Sequence, residues 1–268
     1  MRQSEVFPKY REYSKDLDSF YRSLQQLYEP NGISELLKLR GYVTDDSLYD
    51  FYTNLGVGMC NVEGIIDKDD VNPELNLFSE DGFFLLNNRF IIPVEDMVGN
   101  ISTLIGYYPD YKKYITIPTP FFSKECMFFN FKQAYELSWS KYDGFVILVE
   151  GIFDCLSLRS IGLPAIATMG ATVSKLKGEL LKLFRKVLAI PDDDATGRKA
   201  LNRYSRWGWK VPSNTTMLKF RGGGVVFNGV TLHCKDMDNF VTWFEKDDVI
   251  EILLSYRDSK EDVEELIL

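Results

Sequence analysis

Two apolar runs that end in acid constrain this chain more than anything else in it: Phe145-Val-Ile-Leu-Val-Glu150-Gly151-Ile-Phe-Asp154 and Val187-Leu-Ala-Ile-Pro-Asp192-Asp193-Asp194-Ala-Thr-Gly197-Arg198. Short continuous apolar runs of this kind suit strands buried on both faces, the pattern of a parallel sheet. In such sheets ligands gather outside the carboxyl ends of the strands, and carboxylates delivered there suit hard cations such as magnesium. The pair therefore points to a metal-dependent phosphoryl-transfer site.

Glu150 precedes Gly151, a residue that leaves the backbone free to turn and the carboxylate open. Asp154 follows four residues later, so a helix starting at Gly151 puts both acids near one crevice; the alternative is that Asp154 only caps that helix. Asp192 and Asp194 alternate, which on an extended segment turns both to the same side. They read either as a cation-binding pair or as a solvated acidic helix start favoured by the dipole, and the run alone leaves both open. Gly197-Arg198-Lys199 adds a turn and two cations suited to phosphate oxygens.

A chain of 268 residues is long enough for several lobes around more than one core. No apolar run approaches the roughly 20 residues of a membrane span, and the N-terminus has no apolar signal core, so a cytoplasmic location and no membrane partner are expected. Cys60, Cys126, Cys155 and Cys234 follow no paired metal spacing, which argues against a zinc ribbon and for free thiols. His233 is the only histidine and is read as structural or surface. The net charge of −8 is concentrated at the C-terminus, where residues 236–268 hold 11 acidic and 3 basic residues and leave 28 of each sign elsewhere. A nucleic-acid partner depends on local basic patches, so the overall acidity does not exclude one.

Four segments are expected. Residues 1–55 read as helical, with Leu17, Phe20, Tyr21, Leu24, Leu27 and Tyr28 at three-and-four spacing before Pro30-Asn-Gly32. Residues 56–140 turn to short strands, with Arg89–Glu95 and Ile101–Tyr108 as a hairpin and a short helix from Asn130. Residues 141–235 alternate strand (145–149), helix (about 153–160), strand (165–168), helix (about 173–184), strand (187–191) and helix (about 197–207), which implies a parallel sheet. Residues 236–268 read as an acidic helical tail. Arg221-Gly-Gly-Gly-Val is a turn and not a phosphate loop, since no Lys-Ser or Lys-Thr helix start follows.

Val149-Glu-Gly-Ile-Phe-Asp154, Ala167-Thr-Met-Gly-Ala-Thr-Val-Ser174 and Asp192-Asp-Asp-Ala-Thr-Gly-Arg-Lys-Ala200, in this order and spacing, resemble the Toprim domain of DnaG-type bacterial and phage primases. Lys235-Asp-Met-Asp-Asn-Phe240 resembles the family's later Lys-Asp-Pro-Asp element. Upstream, Leu39-Arg-Gly-Tyr42, Phe51-Tyr-Thr-Asn-Leu-Gly56, Asn88-Arg-Phe-Ile-Ile-Pro-Val-Glu-Asp-Met-Val-Gly99, Lys113-Tyr-Ile115 and Phe122-Ser-Lys124 resemble successive parts of the primase polymerase core.

The resemblance implies an α/β chain: a Rossmann-like Toprim sheet preceded by a mixed α/β lobe and a small helical segment. It implies two or more Mg2+ or Mn2+ ions on Glu150, Asp192 and Asp194, with Asp154 and Asp236 as supporting catalytic acids, and no zinc. Arg89, Lys112, Lys113 and Lys124 take the template-guiding roles, and Arg198 and Lys199 are read as nucleic-acid or nucleotide contacts. The implied activity is that of a DNA-directed RNA polymerase, a nucleotidyltransferase joining ribonucleoside triphosphates on single-stranded DNA in a bacterial cytoplasm or nucleoid, in a compact bacterial or phage form. A helicase or other replication proteins in trans are the implied partners. There are departures. Ile105-Gly-Tyr-Tyr-Pro-Asp110 stands where the family has glycines and arginine, and Asp193 where a glycine separates the two aspartates. The alternatives are a Toprim nuclease and a polymerase-inactive binding module of a replication complex, the latter favoured by the altered segment at Gly106–Asp110.

Overall fold

The structure, a computed structural model, describes residues 3–42, 46–62, 64–170, 173–192, 213–221, 225–227, 230–232, 236–260 and 263–267. The chain divides into two compact units, Met1–Phe122 and Ser123–Leu268.

In the first unit, α1 (Gln3–Gln25), α2 (Gly32–Leu39) and α3 (Asp46–Asn54) precede an antiparallel sheet of β1 (Gly58–Cys60), β2 (Arg89–Glu95), β3 (Ile101–Tyr108) and β4 (Lys113–Thr116), in that spatial order. Tyr13, Leu17, Tyr21 and Leu24 recur along one face of α1 and are buried against Ile91, Leu104 and Ile117, so the helix and the sheet share one core. Leu27, expected on the same stripe, lies beyond the end of α1 and is exposed. Two hydrogen bonds latch the helix to the β2–β3 hairpin: Tyr10 Oη donates to Asp96 Oδ2 at 2.6 Å and Ser14 Oγ donates to the Ile101 carbonyl at 2.8 Å. Asp96 also receives the amides of Val98 and Asn100, each at 2.9 Å, which closes the turn. Burial pushes its carboxyl up, but donation from Tyr10 and Asn100 outweighs this and holds it below the usual carboxylate range.

The second unit is built on five strands in the order β11-β8-β7-β5-β6, every adjacent pair parallel: β5 (Phe145–Val149), β6 (Ala165–Ala167), β7 (Lys186–Ile190), β8 (Thr215–Arg221) and β11 (Val263–Ile267). All five residues of β5 are buried, as a strand covered on both faces requires. α4 (Phe131–Lys141), α5 (Ile152–Ser160) and α6 (Lys175–Leu181) precede or connect these strands. Asn130, at φ 62°, ties α4 in place: its Nδ2 donates to the Ala165 carbonyl at 2.8 Å, and Arg159 donates to its Oδ1 at 3.0 Å. A two-stranded antiparallel pair, β9 (Val225–Phe227) and β10 (Val230–Leu232), follows β8.

The expected mixed α/β fold with a parallel sheet is present, and one element differs. After α7 (Met237–Trp243) and α8 (Lys246–Ser255), Val263–Ile267 is an edge strand parallel to β8, where a continued acidic helix was expected. The helix expected at about 197–207, the glycines 222–224, His233 and Cys234 lie outside the described residues.

Candidate metal and nucleotide site

β5 and β7 are adjacent and parallel, with Val149 opposite Ile190. Glu150 is the first residue beyond β5 and Asp192 the second beyond Ile190, so both leave the same edge of the sheet from strands spaced about 4.8 Å apart. Each is half-buried. The backbone around Glu150 is fixed from β6: the Thr168 amide donates to the Val149 carbonyl at 3.0 Å and the Met169 amide to the Glu150 carbonyl at 3.1 Å. Met169 holds φ 58° to make that turn.

Lys177 secures the same turn from below. It is fully buried, its Nζ donates to the Thr168 carbonyl at 2.6 Å, and it lies 5.1 Å from the centre of the Phe128 ring. Burial pulls its ammonium down to about 8, against the raising influence of Cys126 and Glu125. The sequence reading missed this residue. Its one signal was placement: Lys177 stands four residues before Leu181, on the buried face of α6.

Asp154 is in the first turn of α5 but does not cap it, since Gly151 is the N-cap residue. It is buried, and its Oδ1 accepts the amide of Asp238 at 2.9 Å. Asp238, also buried and also missed, accepts the Ser157 hydroxyl, so the pair joins α5 to the first turn of α7. Gly151 has φ −90° and ψ 150°, a conformation open to any residue. Its smallness serves a close approach instead, for a Cβ there would lie 2.2 Å from Asp154 Oδ2. Asp236 is the N-cap of α7 and accepts the Asn239 amide at 2.9 Å.

Of the expected nucleic-acid contacts, Arg89 on β2 and Lys112 and Lys113 on the β3–β4 hairpin lie together at one end of the first unit's sheet. Lys124 is exposed and belongs to the second unit. Asp194, Arg198 and Lys199 lie outside the described residues. Among the described residues no three His, Cys, Asp or Glu side chains gather into a metal-holding group. Glu150 and Asp192 supply hard oxygen donors from neighbouring strand ends, a donor set that fits magnesium or manganese.

The Toprim-like family model matches residues 147–222, the span from β5 through β8. Over 195 residues the chain is 26% identical to the DNA primase of Thermotoga maritima, covering 68% of this chain and 34% of that one. The RNA polymerase domain of the Mycobacterium tuberculosis primase DnaG superposes with a TM-score of 0.71 over 91% of this chain and 83% of that structure, at 14% identity. The chain is similar in sequence to DNA primases and has the fold of the DnaG catalytic core. The primase-type fold extends through both units, beyond the Toprim match. A DnaG primase catalytic domain bound to single-stranded DNA superposes with a TM-score of 0.67 over 91% of this chain and 78% of that one, at 17% identity. The chain spans about a third of the length of the Thermotoga relative. Among the described residues no helix is long and apolar enough to cross a membrane.

Proposed function

We propose that this chain synthesises short RNA primers on a single-stranded DNA template, joining ribonucleoside triphosphates with loss of pyrophosphate. The observation that carries the reading is the delivery of Glu150 and Asp192 to one edge of a parallel sheet within a primase-core fold. The likeness to a DnaG catalytic domain bound to single-stranded DNA supports the template assignment.

In this reading Glu150, Asp192 and Asp194 hold two or more Mg2+ or Mn2+ ions, and zinc has no part. Such ions, when bound, neutralise charge building on the transferring phosphoryl group and steady the triphosphate. The chain's own residues supply placement. The Thr168–Met169 turn and Lys177 fix the backbone beneath Glu150, and Asp154, through the Asp238 amide, fixes the start of α7 beside α5. Asp236 supports the same element as its cap. Arg198 and Lys199 contact phosphate oxygens. Residues 1–55 and 56–140 guide the template with Arg89, Lys112 and Lys113, and Lys124 adds a contact. Residues 141–235 carry the chemistry, and residues 236–268 complete the fold around it. The setting is a bacterial cytoplasm or nucleoid, with a replicative helicase as a partner.

Purified protein given single-stranded template, ribonucleotides and Mg2+ or Mn2+ is expected to make short RNA. Asp192→Ala combined with Asp194→Ala should abolish synthesis while leaving template binding largely intact. Absence of RNA under conditions where an intact primase is active would overturn the enzyme reading, and cleavage of labelled template in its place would assign a nuclease.

A further inference from the structure

The β3–β4 hairpin carries an ordered ladder of rings and cations. Tyr108 and Tyr111 stack with ring centres 5.1 Å apart and planes 16° from parallel. The Arg89 guanidinium lies 5.5 Å from the centre of the Tyr108 ring, and Lys113 Nζ lies 5.9 Å from that of Tyr111. The sequence builds this arrangement locally. Lys113 is opposite Tyr108 and Ile115 opposite Gly106, so the ladder residues occupy one face of the sheet. Gly106 lets the Arg89 stem cross it, since a Cβ at 106 would sit 2.6 Å from Arg89 Cδ; Arg89 Nε donates to the Leu85 carbonyl at 3.1 Å and holds the guanidinium in place. Tyr111 is 67% exposed, and Lys112 and Lys113 are exposed beside it, with Asp110 the one acid at the tip.

A large ring left in water, already stacked on its inner side and with Lys113 beside it, has the chemistry of a nucleobase platform. Bases stack on aromatic rings whatever their sequence, and neighbouring cations neutralise the phosphates. Here the stacking partner is ordered in advance by Tyr108 and Arg89, which lowers the entropy lost on binding. Lys113 has a long flexible stem that can swing from the ring to a phosphate.

We propose that the β3–β4 hairpin is a stacking platform for unpaired single-stranded DNA, in which the outer face of Tyr111 takes one base and Arg89, Lys112 and Lys113 neutralise the flanking phosphates. The assignment rests on the template-copying reading and specifies how that template is held.

Fluorescence anisotropy of the full chain with a labelled 15-nucleotide single strand, at several salt concentrations, tests it. Tyr111→Ala should weaken binding about tenfold with an unchanged salt slope, whereas Tyr111→Phe should bind within about twofold of wild type because the ring remains. Lys113→Ala should lower the salt slope by about one. Binding to the matching duplex, whose bases are already stacked, should not respond to Tyr111→Ala. Wild-type affinity in Tyr111→Ala, equal loss in Tyr111→Phe, or an equal loss on duplex overturns the platform. Primer synthesis run in parallel separates the two proposals: a wild type that binds through Tyr111 without making RNA sinks the polymerase reading alone, and one that makes RNA with Tyr111 immaterial sinks the platform alone. No binding by the wild type sinks both.

Discussion

A methyl group at position 151 would sit 2.2 Å from Asp154 Oδ2, while Asp154 Oδ1 holds the Asp238 amide at 2.9 Å. Gly151→Ala should therefore push the carboxylate off that amide and cost about 1–3 kcal/mol, the range for an unsatisfied buried group. The same change in an Asp154→Ala background should cost much less, a coupling that a double-mutant cycle of unfolding free energies measures directly. At Lys177 the sign follows from its pKa of about 8, below the 10.5 of a free lysine. Between these values the unfolded chain binds a proton that the folded chain does not, so this residue's contribution to stability rises as pH goes from 8 to 10.5 and stays at its lowest below 8. Wild-type stability minus that of Lys177→Met should increase by about 2 kcal/mol from pH 7 to pH 10, read from urea midpoints. Thiols such as Cys60, pushed up by burial to about 12, lose stability over the same range in both proteins and drop out of the difference. The placement of Glu150 and Asp192 just beyond strand ends was legible because an acid after a buried run is conspicuous. Lys177 and Asp238 were not, because a lone charge on a short helix reads as solvated until its neighbours are known.

β5 and β7 were legible nearly to the residue, since Phe145–Val149 and Val187–Ile190 are unbroken apolar runs that end at Glu150 and at Pro191-Asp192. α6 is shorter than its expected 173–184, running from Lys175 to Leu181 with Ser174 as cap. The edge strand β11 was not legible: its composition favours neither strand nor helix, and only pairing with β8 decides it. Asp236, which the resemblance implies as a supporting acid, is also the cap of α7. Asp236→Ala should destabilise by about 1 kcal/mol through loss of the α7 cap, and Asp236→Ser should restore it, because a serine oxygen also accepts the Asn239 amide. Primer synthesis is expected to follow the same order. A serine variant that is stable but inactive would move Asp236 from positioning to metal or substrate contact.

For the molecule as a whole, a ligand that binds only the folded state raises stability by RT ln(1 + [L]/Kd), about 2.7 kcal/mol at a hundred times Kd. Mg2+ or Mn2+ should therefore raise the unfolding temperature, EDTA should reverse the gain, and Asp192→Ala with Asp194→Ala should remove it. An unshifted wild type would favour a binding module over a working site. By itself the sequence determined the α/β class, the strand–helix alternation from β5 to β7, the β2–β3 hairpin and the acid-tipped strand ends, because hydrophobic period and turn residues are local properties carried by neighbouring residues. Tertiary structure alone decided that Asp154 serves an amide 84 residues away, that a lysine lies beneath the Glu150 turn, and that Tyr108, Tyr111 and Arg89 form one ladder. These depend on strand register and on contacts distant in sequence, and nothing in the spacing of residues along the chain encodes which side chains such contacts bring together.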